Sequence, residues 1–392
     1  MPTSDTSHDN SWVMIGAVIA TASVFVIALG LMYPLLALIL KKQGVSTTLI
    51  GLNSAMTPLG IIVSALLIPR FAERLGTARF ALLSIALAAV IILFIGAFQH
   101  ILFWFPMRFV LGMAINGTYV ISETWINELA NSRNRGRIMG FYTTILAAGF
   151  ALGPFLLAVT GSGGRAPFLV VIIILLITAA GLFFIRSRLP EFTAGEKGSI
   201  RTFLPLAPVL LMAMGIFAFF EQAVLALLPV YGLHFGLTER VTAIALGVMI
   251  SGNVLMQYPI GWSADFLSRR PVLVACALIT VAGSLALPFA ITTTVMLWPL
   301  LFLWGAAAFG GYTVALAELG DRFSGSMLLA GNAAFAMMWG VGGLVGTPIA
   351  GGAMDVFGPN GLPVSLGILY FLLAAIAARG QPSLKQKSVP AK

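Results

Sequence analysis

Charged residues are scarce in this chain of 392 residues: Asp, Glu, Lys and Arg together make up 9% of it, whereas hydrophobic residues make up 59%. So few polar side chains cannot coat a water-soluble globule, and we therefore predict an integral membrane protein. A helix that spans a bilayer needs about 20 apolar residues, so about twelve such helices would leave only short connections and no large catalytic domain outside the membrane. The apolar runs are too long for barrel strands of about 10 residues with alternating polarity.

The chain also has few residues of the types that build metal sites and catalytic centres. Its single cysteine, Cys276, lies in an apolar run and excludes an intramolecular disulfide. The three histidines have no metal-ligand spacing, so we expect no metal site. The sequence has no phosphate-binding G-x-x-x-x-G-K-S/T motif and no nucleophile elbow. We therefore expect neither an enzyme nor an ATP-driven pump, and no cofactor.

Basic residues outnumber acidic ones, 22 to 13, but they stand singly or in short clusters between apolar runs. This spacing is typical of residues that orient membrane helices and not of a nucleic-acid-binding surface, so we expect no nucleic-acid partner. The polar start, residues 1–11, has no basic residue. We therefore expect the first helix, and not a cleaved signal peptide, to direct insertion.

Apolar runs separated by Gly, Pro and charged residues predict an all-α polytopic fold with twelve transmembrane helices. We place them near 12–39, 46–69, 79–97, 101–129, 137–160, 166–186, 203–233, 240–262, 271–291, 295–318, 326–354 and 363–379. With a cytoplasmic N-terminus, the outer connections would hold only Lys41, Lys42, Arg165 and Arg240 of the basic residues. Positive residues concentrate on the cytoplasmic side, so we expect a plasma membrane (bacterial inner membrane) protein with both termini cytoplasmic.

The longest polar connection lies near the middle of the chain, which indicates two halves. Some features recur at a common separation, such as Gly140 and Gly149, which return as Gly331 and Gly340. We therefore predict two pseudosymmetric six-helix bundles. The predicted segments are a cytoplasmic tail at 1–11, a first bundle at 12–186, a cytoplasmic linker at 187–202, a second bundle at 203–379 and a cytoplasmic tail at 380–392.

The connection between predicted helices eight and nine carries a longer motif. It reads Gly261-Trp262-Ser263-Ala264-Asp265-Phe266-Leu267-Ser268-Arg269-Arg270-Pro271. This stretch resembles the G-x-x-x-D-x-x-x-R-R loop motif of the major facilitator superfamily. The matching connection of the first half keeps an acid as Glu73 and a basic residue as Arg74, but has Pro69 in place of the leading glycine.

Two helices of the first half carry further motifs similar to those of this superfamily. They are Arg108-x-x-x-Gly112 in helix four, similar to its embedded-arginine motif, and Gly140, Gly149, Gly153 and Pro154 in helix five, similar to the Gly/Pro motif of its exporters. The second motif lacks its closing pair of glycines. The resemblance implies two bundles that rock about a central site, a cavity lined by helices one, four, seven and ten, and an efflux-like transporter of drugs or metabolites.

The polar residues of helix four share one helical stripe. They are Arg108, Asn116, Tyr119 and Glu123. We expect this stripe to face substrate or protons in the cavity. A structural hydrogen bond between helices is the alternative for Arg108, and pairing with loop arginines such as Arg74 or Arg137 is the alternative for Glu123.

Glu221 stands out because it lies deep in predicted helix seven, next to Phe219 and Phe220. An acid at the bilayer centre costs about 2.5–3.5 kcal/mol and is rare without a function or a partner. We expect Glu221 to carry a proton or to contact substrate. The alternative is a structural bond to a neighbouring helix.

On helix ten, Trp304 and Tyr312 offer aromatic surface to a substrate, with packing inside the bundle as the alternative. The expected cytoplasmic gate consists of Asp265, Arg269, Arg270, Glu73, Arg74, Arg137 and Glu318. The expected positions of close helix packing or bending are Gly149, Gly153, Pro154, Gly340 and Pro348.

The sequence therefore predicts a secondary transporter of small amphipathic or hydrophobic molecules that works by alternating access, with proton-coupled export as the preferred mode. Expected partners are the substrate, protons and membrane lipids, and we expect a monomer. A lipid flippase is a close variant. A non-transporting sensor or scaffold with the same fold is the alternative from another class.

Overall fold

The computed structural model describes residues 6–129, 135–190 and 200–379, and over these ranges the chain forms helices and no strand. Twelve of the helices, named α1 to α12 here, are long and apolar enough to cross a membrane. Their bounds in order are Thr6–Lys42, Thr47–Ala65, Thr77–Ala97, Ile101–Leu129, Arg135–Thr160, Ala166–Ile185, Pro208–His234, Glu239–Leu267, Arg269–Ala290, Thr294–Arg322, Gly325–Phe357 and Gly361–Arg379. The predicted all-α, twelve-helix fold is confirmed.

Because the chain crosses the bundle twelve times, the start of α1 and the end of α12 lie at the same face, which we call the terminal face. The α1–α2, α5–α6, α7–α8 and α11–α12 connections lie at the other face, which we call the opposite face. Two helices begin there with an N-cap residue whose side chain accepts a hydrogen bond from a backbone amide of the first turn. Ser46 accepts a hydrogen bond from the Leu49 amide at the start of α2, and Thr238 accepts one from the Val241 amide at the start of α8.

The packing of the first six helices is repeated by the last six. The pairs α1–α5, α2–α4 and α3–α6 in the first half correspond to α7–α11, α8–α10 and α9–α12 in the second. Glycines make some of these contacts possible: a Cβ at Gly112 would lie 2.1 Å from the Thr57 carbonyl oxygen, and one at Gly305 would lie 2.1 Å from that of Met249. The two halves meet chiefly where α2 packs on α11 and where α5 packs on α8.

The helix ends differ from the prediction at the terminal face. The motif Gly261–Pro271 is mostly helical, since α8 continues to Leu267, and residues Ile68–Leu75 of the matching connection form a short separate helix. Helix α10 likewise continues to Arg322. The prediction stopped each helix where its apolar run stops, whereas backbone hydrogen bonds continue through polar residues until a residue leaves the helical region. That residue is Gly76 in the first half, with φ of 78°, and Ser268 in the second, with φ of 77°.

Three predicted segments fall partly or wholly outside the described residues. The tail at 1–11 is described only from Thr6, the linker at 187–202 only at its two ends, and the tail at 380–392 not at all. The bounds of the two predicted bundles therefore stay a prediction, although the repeated packing indicates where the halves lie.

Candidate transport site and gates

Glu221 lies in the middle of α7, and its nearest sequence neighbours Phe219 and Phe220 are buried. Its Oε2 atom accepts a hydrogen bond of 2.7 Å from the indole nitrogen of Trp339 on α11. Within the described part of the chain, no basic side chain forms an ion pair with it. The expected acid is therefore held by one neutral donor inside the second half.

Arg108 lies on α4 with only 1% of its surface exposed. Its Nη1 atom donates to Asn53 Oδ1 at 3.2 Å and its Nε atom to Thr57 Oγ1 at 3.5 Å, both on α2. These are the interhelical bonds that the sequence left open as an alternative. Both acceptors are neutral, and among the described residues no carboxylate lies within ion-pair distance of the guanidinium.

Tyr33 is the central residue that sequence reasoning missed. It lies on α1, its hydroxyl is within hydrogen-bonding reach of the Gln222 side chain, and it interacts electrostatically with both Arg108 and Glu221. It thus connects the buried arginine of the first half to the buried acid of the second. The available signal was a tyrosine followed by a proline, Tyr33-Pro34, in the interior of the first apolar run.

Tyr119, Glu123 and Tyr312 are brought together with Glu221 where α4 faces α10. Tyr119 interacts electrostatically with Glu123, Tyr312 and Glu221, and Tyr312 interacts with both acids. The ring of Tyr312 stacks on Phe217 with centroids 4.7 Å apart and an interplanar angle of 17°. Tyr119 keeps 40% of its surface exposed. These side chains form an acidic and aromatic cluster contributed by both halves.

Asn116 and Trp304 do not join that cluster. Asn116 donates to the Ile61 carbonyl and to Ser64 Oγ on α2. Trp304 is 1% exposed, and its indole nitrogen donates to the Thr280 carbonyl and Ser284 Oγ on α9. For Trp304, the alternative of an aromatic packed inside the bundle describes these contacts, because its one N–H donor points at another helix of its own half.

The expected gate residues at the terminal face pair within the second half. Arg269 Nη1 lies 2.5 Å from Asp265 Oδ1, and its Nε atom lies 2.9 Å from Asp321 Oδ2. Arg270 donates to the backbone carbonyls of Ala377 and Ala378 at the end of α12.

The remaining expected gate residues add no contact between the halves that the structure describes. Glu318 pairs with Arg322 one turn later on α10. Glu73 and Arg74 are exposed on the short helix after α2. The side chain of Arg137 lies outside the described part of the molecule.

At the opposite face, Asp355 at the end of α11 holds the start of α2. The backbone amides of Thr47 and Thr48 donate to its two carboxylate oxygens at 3.0 and 2.8 Å, and the hydroxyls of the same residues donate at 2.5 and 2.6 Å. These amides are among the first of α2 and have no partner inside their own helix, and a helix N-terminus favours a negative charge. Asp355 therefore caps a helix of the other half.

A second contact between the halves also lies at the opposite face, where the start of α8 meets the end of α1 and the α5–α6 connection. Glu239 at the start of α8 forms a 2.5 Å ion pair with Lys42 at the end of α1 and accepts a 2.5 Å hydrogen bond from Ser162 in the α5–α6 connection. Sequence reasoning named Lys42 only as an outer basic residue. Asp355 and Glu239 were not singled out, because acids at helix ends are expected to face solvent.

The glycines expected to permit close packing do so on different neighbours. Gly149 and Gly153 of α5 lie against α1, the latter on the backbone of Gly30. Gly340 lies against Ile62 of α2, in the other half. The residue of α11 that packs as Gly149 does, against the first helix of its own half, is Gly342, so the sequence match of Gly149 with Gly340 is displaced by two residues. Pro154 and Pro348 lie inside α5 and α11.

Two buried hydroxyls without partners lie in the contact between α2 and α11. This α2–α11 seam is formed by residues 47–58 and 343–355, and a Cβ at Gly51 would lie 2.2 Å from the Thr347 carbonyl oxygen. Among the described side chains, Ser54 Oγ and Thr347 Oγ1 are buried and make no hydrogen bond. A third such hydroxyl, that of Thr313, lies on α10 away from the seam.

A twelve-helix bundle in two repeated halves, with ionisable side chains enclosed between them, is the architecture of a secondary transporter. The family model of the Major Facilitator Superfamily matches residues 13–255 and 210–391. The chain therefore belongs to this superfamily of membrane transporters, as the sequence motifs predict.

Curated relatives and solved structures agree with this membership. The chain is 25% identical over 364 residues to the uncharacterized MFS-type transporter YfkF of Bacillus subtilis, covering 89% of each chain. It is 28% identical over 358 residues to the uncharacterized MFS-type transporter YcaD of Escherichia fergusonii, covering 90% of this chain and 93% of the relative.

The fold is similar to those of solved transporters at low sequence identity. The TM-score to the nucleoside transporter NupG is 0.76 at 12% identity, with 93% and 99% of the two chains covered. A bacterial homologue of the human lysosomal transporter Spinster, inward-facing and unoccupied, gives 0.75 at 13% identity and 96% of both chains. A D-xylose-proton symporter gives 0.74 at 16% identity, with 95% and 99% covered.

Proposed function

We propose that the protein exports small amphipathic or hydrophobic molecules across the bacterial inner membrane by alternating access, in exchange for protons. The observation that carries this proposal is Glu221, an acid deep in a membrane helix with one neutral hydrogen-bond donor and no ion pair among the described residues. Isolated membrane acids are costly and mark proton or substrate pathways. A carboxylate in that setting is suited to binding and releasing a proton in each cycle.

The contacts between the halves support the alternating-access part of the proposal. Described hydrogen bonds and ion pairs that join the two halves through Asp355 and Glu239 all lie at the opposite face. The gate residues of the terminal face pair within one half. This is the arrangement of a transporter that is closed at one face and ready to open at the other.

The aromatic and acidic cluster supports the proposed class of cargo. Tyr119, Tyr312 and Phe217 provide ring surface beside Glu221. Among the described residues the buried amide side chains, of the kind that bind sugars, are Asn53, Asn116 and Gln222. Several cations would be needed for a phosphate ester, whereas Arg108 is the one buried arginine among the described side chains. A molecule with apolar bulk and a small charged group fits this chemistry best.

Orientation, direction and assembly complete the proposal. The distribution of Lys and Arg supports a cytoplasmic location of the terminal face and of both chain ends. The Gly/Pro motif of α5, whose Gly153 packs on Gly30 of α1, supports export. Both halves of the site come from one chain, so a monomer embedded in lipid suffices.

The proposal is tested by proton movement in proteoliposomes that enclose a pH-sensitive dye. Lipophilic cations, neutral drugs and lyso-lipids are added in turn to vesicles containing the wild type, Glu221→Gln or the control Glu128→Gln, which changes an exposed acid at the end of α4. We expect cargo-dependent proton movement in the wild type and the control and its loss in Glu221→Gln. Cargo movement that changes neither with pH nor with the Glu221→Gln substitution would overturn proton coupling and leave a uniporter or a flippase.

A further inference from the structure

The centre of the molecule holds one charge of each sign, and the two come from opposite halves. Arg108 on α4 is bound by the neutral side chains of Asn53 and Thr57, and Glu221 on α7 by the neutral indole of Trp339. The ion pairs that the structure describes all involve other residues. Neither central charge therefore has a counter-charge within the described protein.

Glu123 does not serve as the missing partner of Arg108. The two residues are 15 positions apart on α4, which at 1.5 Å per residue places them about 22 Å from each other along the helix. Glu123 interacts instead with Tyr119 and Tyr312 toward the terminal face. The arginine is thus left with neutral acceptors.

Tyr33 lies on the helix that packs against both helices that carry the two charges. This residue of α1 interacts electrostatically with both Arg108 and Glu221, and α1 packs against both α4 and α7. Further groups around Glu221 are the hydroxyls of Tyr119, Tyr312 and Tyr370, which are neutral. Among the described residues, the groups between the two charges are polar but carry no charge.

Each charged group also keeps one atom available for a ligand. Arg108 uses Nε and Nη1, and Glu221 uses Oε2. The remaining atoms, Arg108 Nη2 and Glu221 Oε1, make no hydrogen bond that the structure describes.

An unpaired charge in a membrane interior is costly, and a ligand that supplies the counter-charge removes that cost. A cation would satisfy Glu221 and leave Arg108 unpaired, and an anion would do the reverse. We propose that the cargo is an amphipathic zwitterion, with its cationic group at Glu221, its anionic group at Arg108 and its apolar part against Tyr119 and the Tyr312–Phe217 stack. This inference rests on the proposed function and names the class of its substrate.

The test compares four amphiphiles that share an octyl chain and differ in the head group. They are a sulfobetaine, a trimethylammonium, a sulfate and a neutral glucoside. Equilibrium binding is measured on the purified full-length chain in lipid nanodiscs, with binding to empty nanodiscs subtracted. A hydrogen bond to a charged group contributes about 1.5–3 kcal/mol, so we expect the zwitterion to bind at least about tenfold more tightly than either singly charged compound.

Substitutions assign each end of the ligand. Arg108→Gln should lower the affinity for the zwitterion to the affinity for the cation and should leave the affinity for the cation unchanged. Glu221→Gln should lower the affinity for the zwitterion to the affinity for the anion. Arg108→Lys keeps the charge and should restore part of the preference, which a purely structural role of the guanidinium would not allow. Arg165→Gln, at an exposed arginine of the opposite face, is the control and should change none of the four affinities. Each variant is first checked for an unchanged elution profile.

The outcomes separate this inference from the proposed function. Equal affinity of the wild type for the cation and the zwitterion, with both unaffected by Arg108→Gln, would overturn the zwitterion and leave proton-coupled transport intact. Absence of saturable binding of all four amphiphiles would overturn it as well. Proton movement that does not depend on Glu221 would instead contradict the proposed function, whichever head group binds best.

Discussion

The two faces of the bundle use the same kinds of residues in different ways. At the opposite face, Asp355 and Glu239 each bind residues of the other half, through Thr47 and Lys42 among others. At the terminal face, Arg269 binds acids of its own half only. Acids at helix ends therefore do not by themselves mark a gate. The two faces differ in whether the partner comes from the other half.

The α2–α11 seam at the opposite face contains polar groups that favour contact between the halves and polar groups that oppose it. Asp355 contributes four hydrogen bonds to the seam, whereas Ser54 and Thr347 are buried in the same seam without partners. A buried hydroxyl without a hydrogen bond costs about 1–3 kcal/mol, which opposes closure. Under the proposed alternating access, these opposing polar groups would keep the open and closed states close in free energy.

The largest effect is expected from Asp355→Asn, which removes the charge that caps α2. Hydrogen bonds to a charged group contribute about 1.5–3 kcal/mol, so we expect the closed opposite face to lose about tenfold or more in population. The measurement is the distance between spin labels at Gly163 and Thr292, which lie on different halves at that face, in a Cys276→Ala background. Asp321→Asn is the matched control, because Asp321 pairs within one half. A distance distribution that does not change in Asp355→Asn would contradict this role.

A change in the other direction is expected from Thr347→Val. Valine keeps the shape of the side chain and removes the unpaired hydroxyl, so the closed seam should gain about 1 kcal/mol. The same pair of labels should report a narrower distribution centred on the shorter distance. Thr313→Val, which removes an equally unpaired hydroxyl outside the seam, should leave that distribution unchanged. Widening in Thr347→Val would show that the hydroxyl has a partner that favours closure.

Ser268→Gly should stabilise the protein without favouring either face. Ser268 has φ of 77°, where the first half has Gly76 at 78°. A positive φ with ψ of 149° costs a residue with a Cβ about 1–3 kcal/mol, part of which is offset by the greater freedom of glycine in the unfolded chain. We expect a higher unfolding temperature of the purified protein, with unchanged label distances. An unfolding temperature at or below that of the wild type would show that this backbone carries no strain.

The smallest effect is expected from Lys42→Gln. Lys42 and Glu239 keep 46% and 29% of their side-chain surfaces exposed, so solvent weakens their ion pair to about 0.2–1 kcal/mol. The closed face should lose at most a few-fold in population, and the loss should vanish at high salt. A loss that equals that of Asp355→Asn, or that persists at high salt, would reverse the ranking of the two contacts.

The sequence predicted the fold well because membrane helices are long and apolar, and the lengths of α1 to α12 follow directly from that requirement. It also singled out Glu221 and Arg108 as site residues, since charges inside apolar runs are conspicuous, and their roles stay a prediction. It did not identify Asp355, because an acid at a helix end is ordinary until its partner, at Thr47 more than 300 positions away, is known. It did not identify Tyr33 as the link between the charges, because only the packing of α1 between α4 and α7 gives it that position.

The most direct test of the account is to measure both faces in the same sample. A second label pair at Ser187 and Gly320 reports the terminal face, while the pair at Gly163 and Thr292 reports the opposite face. If the halves rock as rigid units, Asp355→Asn should open the opposite face and close the terminal face in the same fraction of molecules. An opposite face that opens while the terminal distance stays that of the wild type would contradict alternating access in this protein.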